Sequence, residues 1–555
     1  MELVWNLFFM FGGVAVMMLG MKLMGGGLEK FAGGKMKTLL GKMTTNRFAG
    51  VGVGVAVTSI IQSSTATTVM LVGFVNVGLM TLAQAANVIM GANIGTTVTA
   101  HIVSLSGVGG GVDIGAIAAV IGCIGVLTSM LVKNEKLATF GDILGGLGMV
   151  FVGLEVIATY AKLIMFVESG VPHPVVERIF GGNHFPLLLV LIGIVITALV
   201  HSSSTITSLM VVLASIGVLS FENALFLALG SNIGTCLTSV MSSIGTNVNA
   251  RRTAIIHLLF NVTGCLIFIV PLWIWGREVT AFFNSISNDV GQQIAIFHTL
   301  FNVATTIVIL PFIQCFVRVV SILVPESGRR NREEEPDFAF IDERLIETPV
   351  VAVSNTKFEI IKMSMIAREN MNLAMEMLFN PEINEKETFA INEKRLNALN
   401  KNITKFLTKL IGTNISETDE KKVGSYYHVV SDIERVGDYA ENIVEYTTRL
   451  RKENLEMSDD AISELKEMTN TINNLFDVAI KAFDERNTNY LTEVDVLETK
   501  VDEFSVKLEA RHIDRLKQGN CSAQIGSIFL QTVSNLERVA DHITNVAFSI
   551  KKYTV

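Results

Sequence analysis

Two hydroxyl-rich segments in apolar surroundings carry the residue types best suited to binding ions in this chain. The first reads Gln-Ser-Ser-Thr at 62–65, and the second reads His-Ser-Ser-Ser-Thr at 201–205. Ser and Thr oxygens, joined by backbone carbonyls, suit a hard cation such as Na⁺. Backbone N–H groups at the start of a helix, joined by hydroxyl donors, suit an oxyanion. The candidate ligands are Gln62, Ser63, Ser64, Thr65, His201, Ser202, Ser203, Ser204 and Thr205.

Two other interpretations of these hydroxyl groups remain open on the sequence. Ser and Thr inside an apolar helix can bond back to their own helix or serve as small packing residues. A serine hydrolase would need a Gly-x-Ser-x-Gly turn and a base. The chain has no such turn, and His201 only replaces Gln62 between the two segments. We therefore predict that the protein is not an enzyme.

The two segments lie at equivalent places of an internal repeat. A shift of 139 residues aligns 58–100 with 197–239 without a gap, and 13 of the 43 positions are identical. Both copies also contain Gly-x-Asn-Ile-Gly-Thr, at 91–96 and at 230–235. Helix packing readily explains a single Ser/Thr cluster. It explains less readily two clusters at equivalent places of a repeat. The repeat therefore favours a duplicated binding site.

Long apolar segments surround these motifs. About 20 apolar residues are enough for a helix to cross a bilayer. The hydroxyl motifs interrupt two longer apolar stretches, 48–80 and 185–218, and we interpret both stretches as re-entrant helical hairpins with the motif at the tip. The predicted fold class is an all-α polytopic membrane protein with two such hairpins and about seven spans, at about 3–27, 82–105, 113–132, 140–166, 222–245, 254–276 and 292–323.

Each unit of the repeat contains three spans and one hairpin, so the second unit must be inverted in the membrane. A shift of 133 residues also aligns the glycines at 13 and 20 with those at 146 and 153. Inverted repeats with paired interrupted helices are typical of secondary transporters that bind substrate near the bilayer midplane. We place repeat 1 at about 3–132, repeat 2 at about 140–276 and an extra span at 292–323, within a membrane domain of residues 1–325.

Charge divides the chain into two parts. Residues 1–325 carry 25 charged side chains and residues 326–555 carry 71, so only the first part suits a bilayer. The loops rich in Lys and Arg fall on one side of the predicted spans, and the positive-inside rule makes that side cytoplasmic. We therefore place the N-terminus outside and the C-terminal part in the cytoplasm, with membrane lipid as a partner. Neither part is strongly basic, which argues against nucleic acid as a partner.

Two charged residues, Lys22 and Glu155, fall inside predicted spans at equivalent places of the 133-residue shift. Ionisable groups inside a membrane usually serve function, so these two could form a charge pair or flank the substrate path. Alternatively, Lys22 extends to the cytoplasmic face. A smaller echo, His-x-x-Phe-Asn at 257–261 and 298–302, is interpreted as polar packing between helices.

The C-terminal part is patterned as helices and also repeats. A shift of 103 residues aligns Glu434 and Asp438 with Glu537 and Asp541. Two carboxylates four residues apart on a helix repel each other mildly, so neighbouring arginines or a hard cation with oxygen ligands should offset them. A solvated acidic face held by salt bridges is the alternative. We divide this part into a charged linker, 326–354, and a helical bundle, 355–555.

The paired tips, each followed by Gly-x-Asn-Ile-Gly-Thr, resemble the type II Na/Pi (sodium-dependent phosphate) cotransporter family over about 1–325. The first tip ends in Thr65 where the family favours Ser. The second begins with His201 where the family has Gln, which raises a proton-linked variant because His titrates near neutrality. The resemblance implies that the tip residues other than His201 surround phosphate and Na⁺, and that the following helices complete the site with Asn93, Thr96, Asn232 and Thr235.

The Glu-Arg-Val-Gly-Asp and Glu-Arg-Val-Ala-Asp segments of the C-terminal part resemble the PhoU family over about 355–552. This resemblance implies a PhoU-like helical bundle that regulates in response to phosphate. It also implies a divalent or iron metal, with Glu434, Asp438, Glu537 and Asp541 as its ligands.

The combined expectation is a secondary active transporter of a bacterial inner membrane. It would move inorganic phosphate coupled to Na⁺ by alternating access, under the control of the cytoplasmic domain. Coupling has a physical reason, because a phosphate buried where Lys and Arg are scarce needs counter-charge from bound cations. A membrane phosphate sensor that binds without transporting and a phosphate exporter are the alternatives. The sequence leaves the oligomeric state open, with a homodimer among the options.

Overall fold

A computed structural model describes residues 2–41, 46–105, 114–166, 185–326, 340–380, 382–413, 415–519 and 521–552. Every regular element within these ranges is a helix, which confirms the predicted all-α class. The chain divides into two compact units, Met1–Arg330 and Asn331–Val555, which are described separately.

The first unit is a sequence of apolar helices with two short interruptions. Its helices are α1 Glu2–Gly41, α2 Arg47–Ile61, α3 Ser64–Asn76, α4 Leu82–Ser104, α5 Ile114–Leu131, α6 Glu135–Met165, α7 Pro186–Val200, α8 Ser203–Ser215, α9 Phe221–Ser242, α10 Val248–Ile274, α11 Gly276–Ile286, α12 Val290–Ile309 and α13 Ile313–Leu323.

Both predicted hairpins are pairs of helices broken at the predicted place. The chain leaves α2 at Gln62 and enters α3 at Ser64, and it leaves α7 at His201 and enters α8 at Ser203. The hydroxyl motif therefore lies at the junction of the two arms in each copy.

The described part of the chain contains five helical segments long and apolar enough to cross a membrane, compared with the seven spans predicted. α4 has 23 residues, but its Asn, Gln, Thr and His side chains lower its hydropathy, and α5 has only 18 residues. A 3-10 turn, Leu310–Phe312, interrupts the last predicted span at its proline. The count of seven therefore stays a prediction. The five segments are Glu2–Ala32, Glu135–Met165, Phe221–Ser242, Val248–Ile274 and Val290–Leu323.

The first arm of each hairpin packs against the helix that follows the hairpin at the distance of backbone contact. A Cβ on Gly91 of α4 would lie 1.9 Å from the carbonyl oxygen of Val51, and a Cβ on Gly230 of α9 would lie 2.0 Å from that of Val190. These four residues are equivalent in pairs under the 139-residue shift. Only glycine permits this approach, which fixes the tip against its neighbouring helix.

The helices α1 and α6 pack closely through equivalent glycines. A Cβ on Gly20 would lie 2.7 Å from the oxygen of Gly146, and a Cβ on Gly153 would lie 2.7 Å from the oxygen of Gly13. Gly20 thus contacts Gly146 and Gly13 contacts Gly153, whereas the 133-residue shift aligns Gly13 with Gly146 and Gly20 with Gly153. Because the contacts run in the opposite order to the alignment, the two equivalent helices are antiparallel. An inverted repeat requires this arrangement where its two units meet.

The second unit consists of two three-helix repeats, with α14 packed on α16, α17 on α19, and the two repeats joined through α16 and α19. Its core contains the fully buried Tyr426, Phe476, Phe483 and Phe529. The helices are α14 Pro349–Phe379, α15 Lys386–Ile411, α16 Glu417–Lys452, α17 Asp459–Glu485, α18 Leu491–Lys517 and α19 Ala523–Phe548, with 3-10 turns at Glu343–Glu347, Thr488–Tyr490 and Ser549–Lys552.

Candidate ion-binding site

The two tips have the same backbone conformation. Gln62 and His201 both end their helix with φ of 58°, in the left-handed region. Residues other than glycine rarely adopt this backbone conformation. Its recurrence at equivalent places shows that the two tips have the same local structure. Ser63 and Ser202 then cap the second arm, accepting hydrogen bonds from the backbone nitrogens of Ala66 at 3.1 Å and Thr205 at 3.2 Å.

Each second arm begins with a buried serine whose hydroxyl has no partner. Ser64 and Ser203 are 5% and 4% exposed. Within the described part of the chain, neither hydroxyl forms a hydrogen bond. The first N–H groups of a helix also lack partners within it, and they lie at the positive end of its dipole. Each tip therefore presents backbone and hydroxyl donors of the kind that bind an anion.

The helix after each hairpin also contacts the tip. Thr99 on α4 donates to Oε1 of Gln62 at 2.8 Å, and Thr238 on α9 lies 2.8 Å from Nδ1 of His201. His201 thus makes the contact that Gln62 makes in the first copy. The second tip therefore keeps this contact with the following helix, although it has His201 where the family has Gln.

The predicted Asn93 and Asn232 are held by histidines from later helices. His257 on α10 lies with Nε2 3.4 Å from Oδ1 of Asn93, and His298 on α12 lies with Nε2 3.2 Å from Oδ1 of Asn232. The amide nitrogens Nδ2 of both asparagines are buried and have no partner. Each histidine therefore occupies the amide oxygen, which leaves the amide N–H groups as donors.

The two histidines differ in whether Nδ1 has a partner, and the internal repeat explains the difference. Nδ1 of His257 lies 3.3 Å from Oγ of Ser239, whereas Nδ1 of His298 is buried without a partner. The 139-residue shift equates Ser239 with Ala100, which has no hydroxyl. A Ser239 hydroxyl that donates to Nδ1 leaves the proton of a neutral ring on Nε2, in position to donate to Asn93.

The asparagines of the His-x-x-Phe-Asn echo are fixed in the same way in both copies. Nδ2 of Asn261 donates to the carbonyl of His257 at 3.0 Å, and Nδ2 of Asn302 donates to that of His298 at 2.9 Å. The oxygens Oδ1 of both are buried and have no partner. These motifs therefore leave two buried oxygen acceptors, which the repetition of the motif could have indicated.

The site lies where the two repeats meet. α4 packs against α8 and α9 packs against α3, so the second arm of each hairpin contacts the Gly-x-Asn-Ile-Gly-Thr helix of the other repeat. The predicted Thr96 and Thr235 donate to their own helices, at the carbonyls of Ala92 and Ser231. Their oxygens can still accept a hydrogen bond or bind a cation.

Basic side chains are scarce inside the first unit. Among its described residues, Arg252 is the one buried Lys or Arg, and it donates to the carbonyl of Val324 at 3.0 Å and to Asn249 at 3.0 Å. Among the described residues, no buried Lys or Arg therefore accompanies the hydroxyl and amide donors of the two tips.

The predicted charge pair gains no support from the geometry. Lys22 and Glu155 both lie on exposed surfaces of α1 and α6, and no ion pair joins them in the ranges that the structure covers. The close glycine contacts of α1 and α6 occupy the faces between the helices instead.

In the second unit, the predicted metal ligands lie beside acidic residues of neighbouring helices. Asp541 on α19 lies with Glu498 and Asp502 of α18 so that one oxygen of each is within 4.8 Å of the others. Glu537 accepts a hydrogen bond from Ser505 of the same helix α18 at 2.8 Å. The sequence analysis missed the carboxylates of α18, whose spacing of four residues was the available signal.

The first copy of this cluster is poorer in charge. On α15, Asn397 lies four residues after Glu393 and donates to it at 3.1 Å, whereas on α18 the residue four positions after Glu498 is the carboxylate Asp502. Burial raises the pKa of Glu393, and the charges of Glu441 and Asp438 raise it further. Burial also raises the pKa of Glu434, to which the neighbouring Asp438 adds.

The second cluster is also strained electrostatically. Burial raises the pKa of Asp541, and the carboxylates of Asp502 and Glu537 add to this effect. Among the described residues, no Lys or Arg forms a salt bridge with Glu498, Asp502 or Asp541, so the set fits a hard cation with oxygen ligands. A raised pKa means that the ionised groups destabilise the fold at neutral pH, and stability rises as the pH falls through the folded-state pKa.

Two family descriptions match the chain. The Na⁺/Pi-cotransporter description matches residues 16–159 and 178–308, which contain both tips. The PhoU domain description matches residues 360–447 and 465–550, which contain both acidic clusters. These matches confirm the two resemblances predicted from the motifs.

Individual relatives agree with these matches, whereas no solved structure matches the chain. YjbB, a candidate inorganic phosphate export protein of Escherichia coli strain K12, is 23% identical over 500 residues, which are 90% of this chain and 88% of that protein. The uncharacterised YqeW of Bacillus subtilis strain 168 is 30% identical over 273 residues, 49% of this chain and 83% of YqeW. Sodium-dependent phosphate transport protein 2B of Rattus norvegicus is 41% identical over 85 residues, 15% of this chain and 12% of that protein.

Proposed function

Because the chain belongs to the Na⁺/Pi-cotransporter family and carries a PhoU domain, we propose that it is a symporter that moves inorganic phosphate together with Na⁺ across a membrane. The observation that carries this proposal is the duplicated tip, in which Ser64 and Ser203 begin buried helices with unpartnered hydroxyls. Two helix starts with hydroxyl donors form a ready site for a tetrahedral oxyanion.

Phosphate is bound in this proposal by donors from both repeats. The hydroxyls of Ser64 and Ser203, with the first backbone N–H groups of α3 and α8, supply one set. The amide nitrogens of Asn93 and Asn232 supply another, because His257 and His298 hold the amide oxygens. The two histidines act as positioning residues, and loss of either would let an amide turn its oxygen toward the anion.

Na⁺ supplies the charge that the protein does not. Because no buried Lys or Arg lies at the tips in the part of the chain that the structure describes, a bound phosphate needs cations beside it, since an unpaired buried charge is strongly unfavourable. Several buried oxygens without partners are suited to them, on α10 and α12: Oδ1 of Asn261, Oδ1 of Asn302, Oγ1 of Thr305 and Oγ1 of Thr306. The hydroxyl oxygens of Thr96 and Thr235 are further candidates.

The membrane arrangement follows the repeat. We place the unit of residues 1–325 in a bacterial inner membrane as an inverted repeat of about seven spans and two re-entrant hairpins. The N-terminus lies outside and the PhoU domain in the cytoplasm. Alternating access arises when one repeat rocks against the other around the tips, as the antiparallel packing of α1 and α6 allows.

Phosphate flux in proteoliposomes tests the coupling. We expect an inward Na⁺ gradient to drive accumulation of radiolabelled phosphate, because Na⁺ lowers the free energy of burying the anion. Replacing Na⁺ with choline is the control and should reduce the initial rate by at least about tenfold, the effect of 1.4 kcal/mol. Equal flux in Na⁺ and choline would disprove symport.

Phosphate export is a second candidate direction, favoured by the name of the relative YjbB. A symporter runs in whichever direction its gradients dictate, so the same site serves export when internal phosphate is high. Vesicles loaded with phosphate and lacking a Na⁺ gradient would show efflux in this case.

For the PhoU domain we propose a regulatory role with a bound divalent or iron cation. The ligands are Glu537 and Asp541 with Glu498 and Asp502 in one site, and Glu434 and Asp438 with Glu393 in the other. The second site should bind more tightly, since α18 gives it two carboxylates, Glu498 and Asp502, whereas α15 gives the first site Glu393 and the neutral Asn397. A bound cation would relieve the repulsion that raises the pKa of Asp541.

Metal content of the purified full chain tests this role. We expect bound transition metal that falls in the Asp541→Asn variant, because the second cluster loses a carboxylate. Free metal at 100 times the Kd stabilises a fold by about 2.7 kcal/mol, so a chelator should lower the unfolding temperature of the wild type more than that of the variant. Glu509→Gln, which changes an exposed carboxylate of α18 outside the cluster, is the control. Equal metal in all three proteins would contradict the site.

A further inference from the structure

A cavity in the second unit lies apart from both acidic clusters. Its volume is about 330 Å³, and it is lined by residues at the starts of α17 and α19 and near the end of α18. Ser458 and Ser522 contribute from the two helix starts, and His512 and Arg515 contribute from α18. Neither the transport site nor the metal clusters use these residues.

Two long helices direct their N-termini toward this cavity. α17 has 27 residues and α19 has 26. Ser458 and Ser522 cap them, accepting from the nitrogens of Ala461 and Ile525 at 3.3 Å each. The earlier N–H groups of both first turns have no partner within their helices, so the positive ends of two dipoles meet at one place.

His512 adds a buried ring nitrogen without a partner. Its side chain is 1% exposed, its Nε2 is buried and unpaired, and its ring stacks on Phe529 with 5.3 Å between the ring centres. Gly526 faces this nitrogen, since a Cβ there would lie 2.5 Å from Nε2. Burial lowers the pKa of His512, and the charge of Arg515 lowers it further, while the charge of Glu464 acts in the opposite direction.

Arg515 supplies positive charge that its ion pair does not neutralise. Its Nη1 donates to Glu464 at 2.8 Å, while Arg511 donates to the other oxygen of the same carboxylate at 3.1 Å. Two guanidinium groups thus share one carboxylate. Nη2 of Arg515 is buried without a partner. Glu456 also lines the cavity, but its side chain is exposed, so solvent screens its charge.

We propose that this cavity binds a phosphoryl group, either inorganic phosphate or the phosphate of a small ester. The donors converge from two helix starts, from Arg515 and from His512, and so come from several directions. A tetrahedral oxyanion has acceptor oxygens in as many directions, whereas a carboxylate offers two oxygens in one plane. Planar guanidinium donors also match phosphate oxygens. The regulatory domain thereby has a ligand site of its own.

Hydrogen–deuterium exchange of the full chain, read by mass spectrometry, tests the proposal. Millimolar inorganic phosphate should slow exchange in the peptides covering 456–464 and 521–529. Glycerol 3-phosphate in a parallel arm distinguishes an ester from the free ion. Protection by neither compound would overturn the proposal, and equal protection by sulfate or acetate would overturn its restriction to phosphoryl groups. Changes in the first unit report a separate site and do not enter the comparison.

Two variants separate the cavity from general effects on folding. His512→Phe keeps a ring stacked on Phe529 but removes the N–H, and Arg515→Lys keeps a cation near Glu464 but removes the second guanidinium nitrogen. Each should raise the phosphate concentration for half-protection by about tenfold, the loss expected for a hydrogen bond to a charged group. Arg511→Lys, which alters the partner of Glu464 outside the cavity, should leave it unchanged. Protection unaltered in both His512→Phe and Arg515→Lys would overturn the site.

Discussion

Phosphate uptake should be lost when Ser64 and Ser203 are both changed to Ala. Each change removes the hydroxyl of a buried serine at the start of a hairpin arm, where the proposed phosphate binds. A hydrogen bond to a charged group contributes about 1.5–3 kcal/mol, so each single change should raise the KM for phosphate by about tenfold and the pair by about 100-fold or more. Initial rates of radiolabelled phosphate uptake in proteoliposomes measure the effect.

The fold should survive these changes, because Ser63 and Ser202 still cap the arms and Ala is a good helix residue. Ser208→Ala is the matched control. Its hydroxyl is also buried in α8, but it donates to the carbonyl of Ser204 at 2.7 Å. The 139-residue shift equates it with Val69, which has no hydroxyl. Normal KM in the Ser64→Ala/Ser203→Ala protein would place phosphate elsewhere.

Gly91→Ala and Gly230→Ala should destabilise the protein and abolish transport together. The new Cβ would lie about 2 Å from a backbone carbonyl, at 1.9 Å for Gly91 and 2.0 Å for Gly230. Since a backbone oxygen cannot rotate away, α4 must separate from α2 and α9 must separate from α7. Overpacking of this kind destabilises a core by about 1–3 kcal/mol or more per site, and it also displaces the tip.

Gly52→Ala is the control for these substitutions. Gly52 follows Val51 in α2, but it is exposed and a Cβ there meets nothing within 4 Å. This change should be neutral or should stabilise the helix by up to about 1 kcal/mol. Thermal unfolding in detergent and phosphate flux measure both effects. A Gly91→Ala protein as stable and active as Gly52→Ala would show that the contact between α2 and α4 does not hold the tip.

The sequence predicted the elements that local chemistry controls. Apolar runs gave the helices, and the hydroxyl motifs marked where two of them break. The interruptions at Gln62 and His201 were placed correctly, because a polar cluster inside an apolar stretch and its repetition are both visible along the chain. The motifs also indicated the two families, which the matches confirm.

The sequence was less informative about span number. α4 faces protein over much of its surface and carries buried Asn and Thr side chains, so its hydropathy does not distinguish a span from an interior helix. The short amphipathic helix α11, Gly276–Ile286, was not predicted either, since it follows a long apolar run whose end has no clear boundary.

What the sequence by itself determined was the class of the protein, its two parts and its duplicated tip. The tertiary structure decided which residues meet: His257 with Asn93, His298 with Asn232, and Asp541 with Glu498 and Asp502. The physical reason is that helix formation and helix breaking depend on neighbours within a few residues. Contacts between helices depend instead on packing register and on glycines such as Gly91 that allow backbones to touch, and these involve partners far apart in the chain.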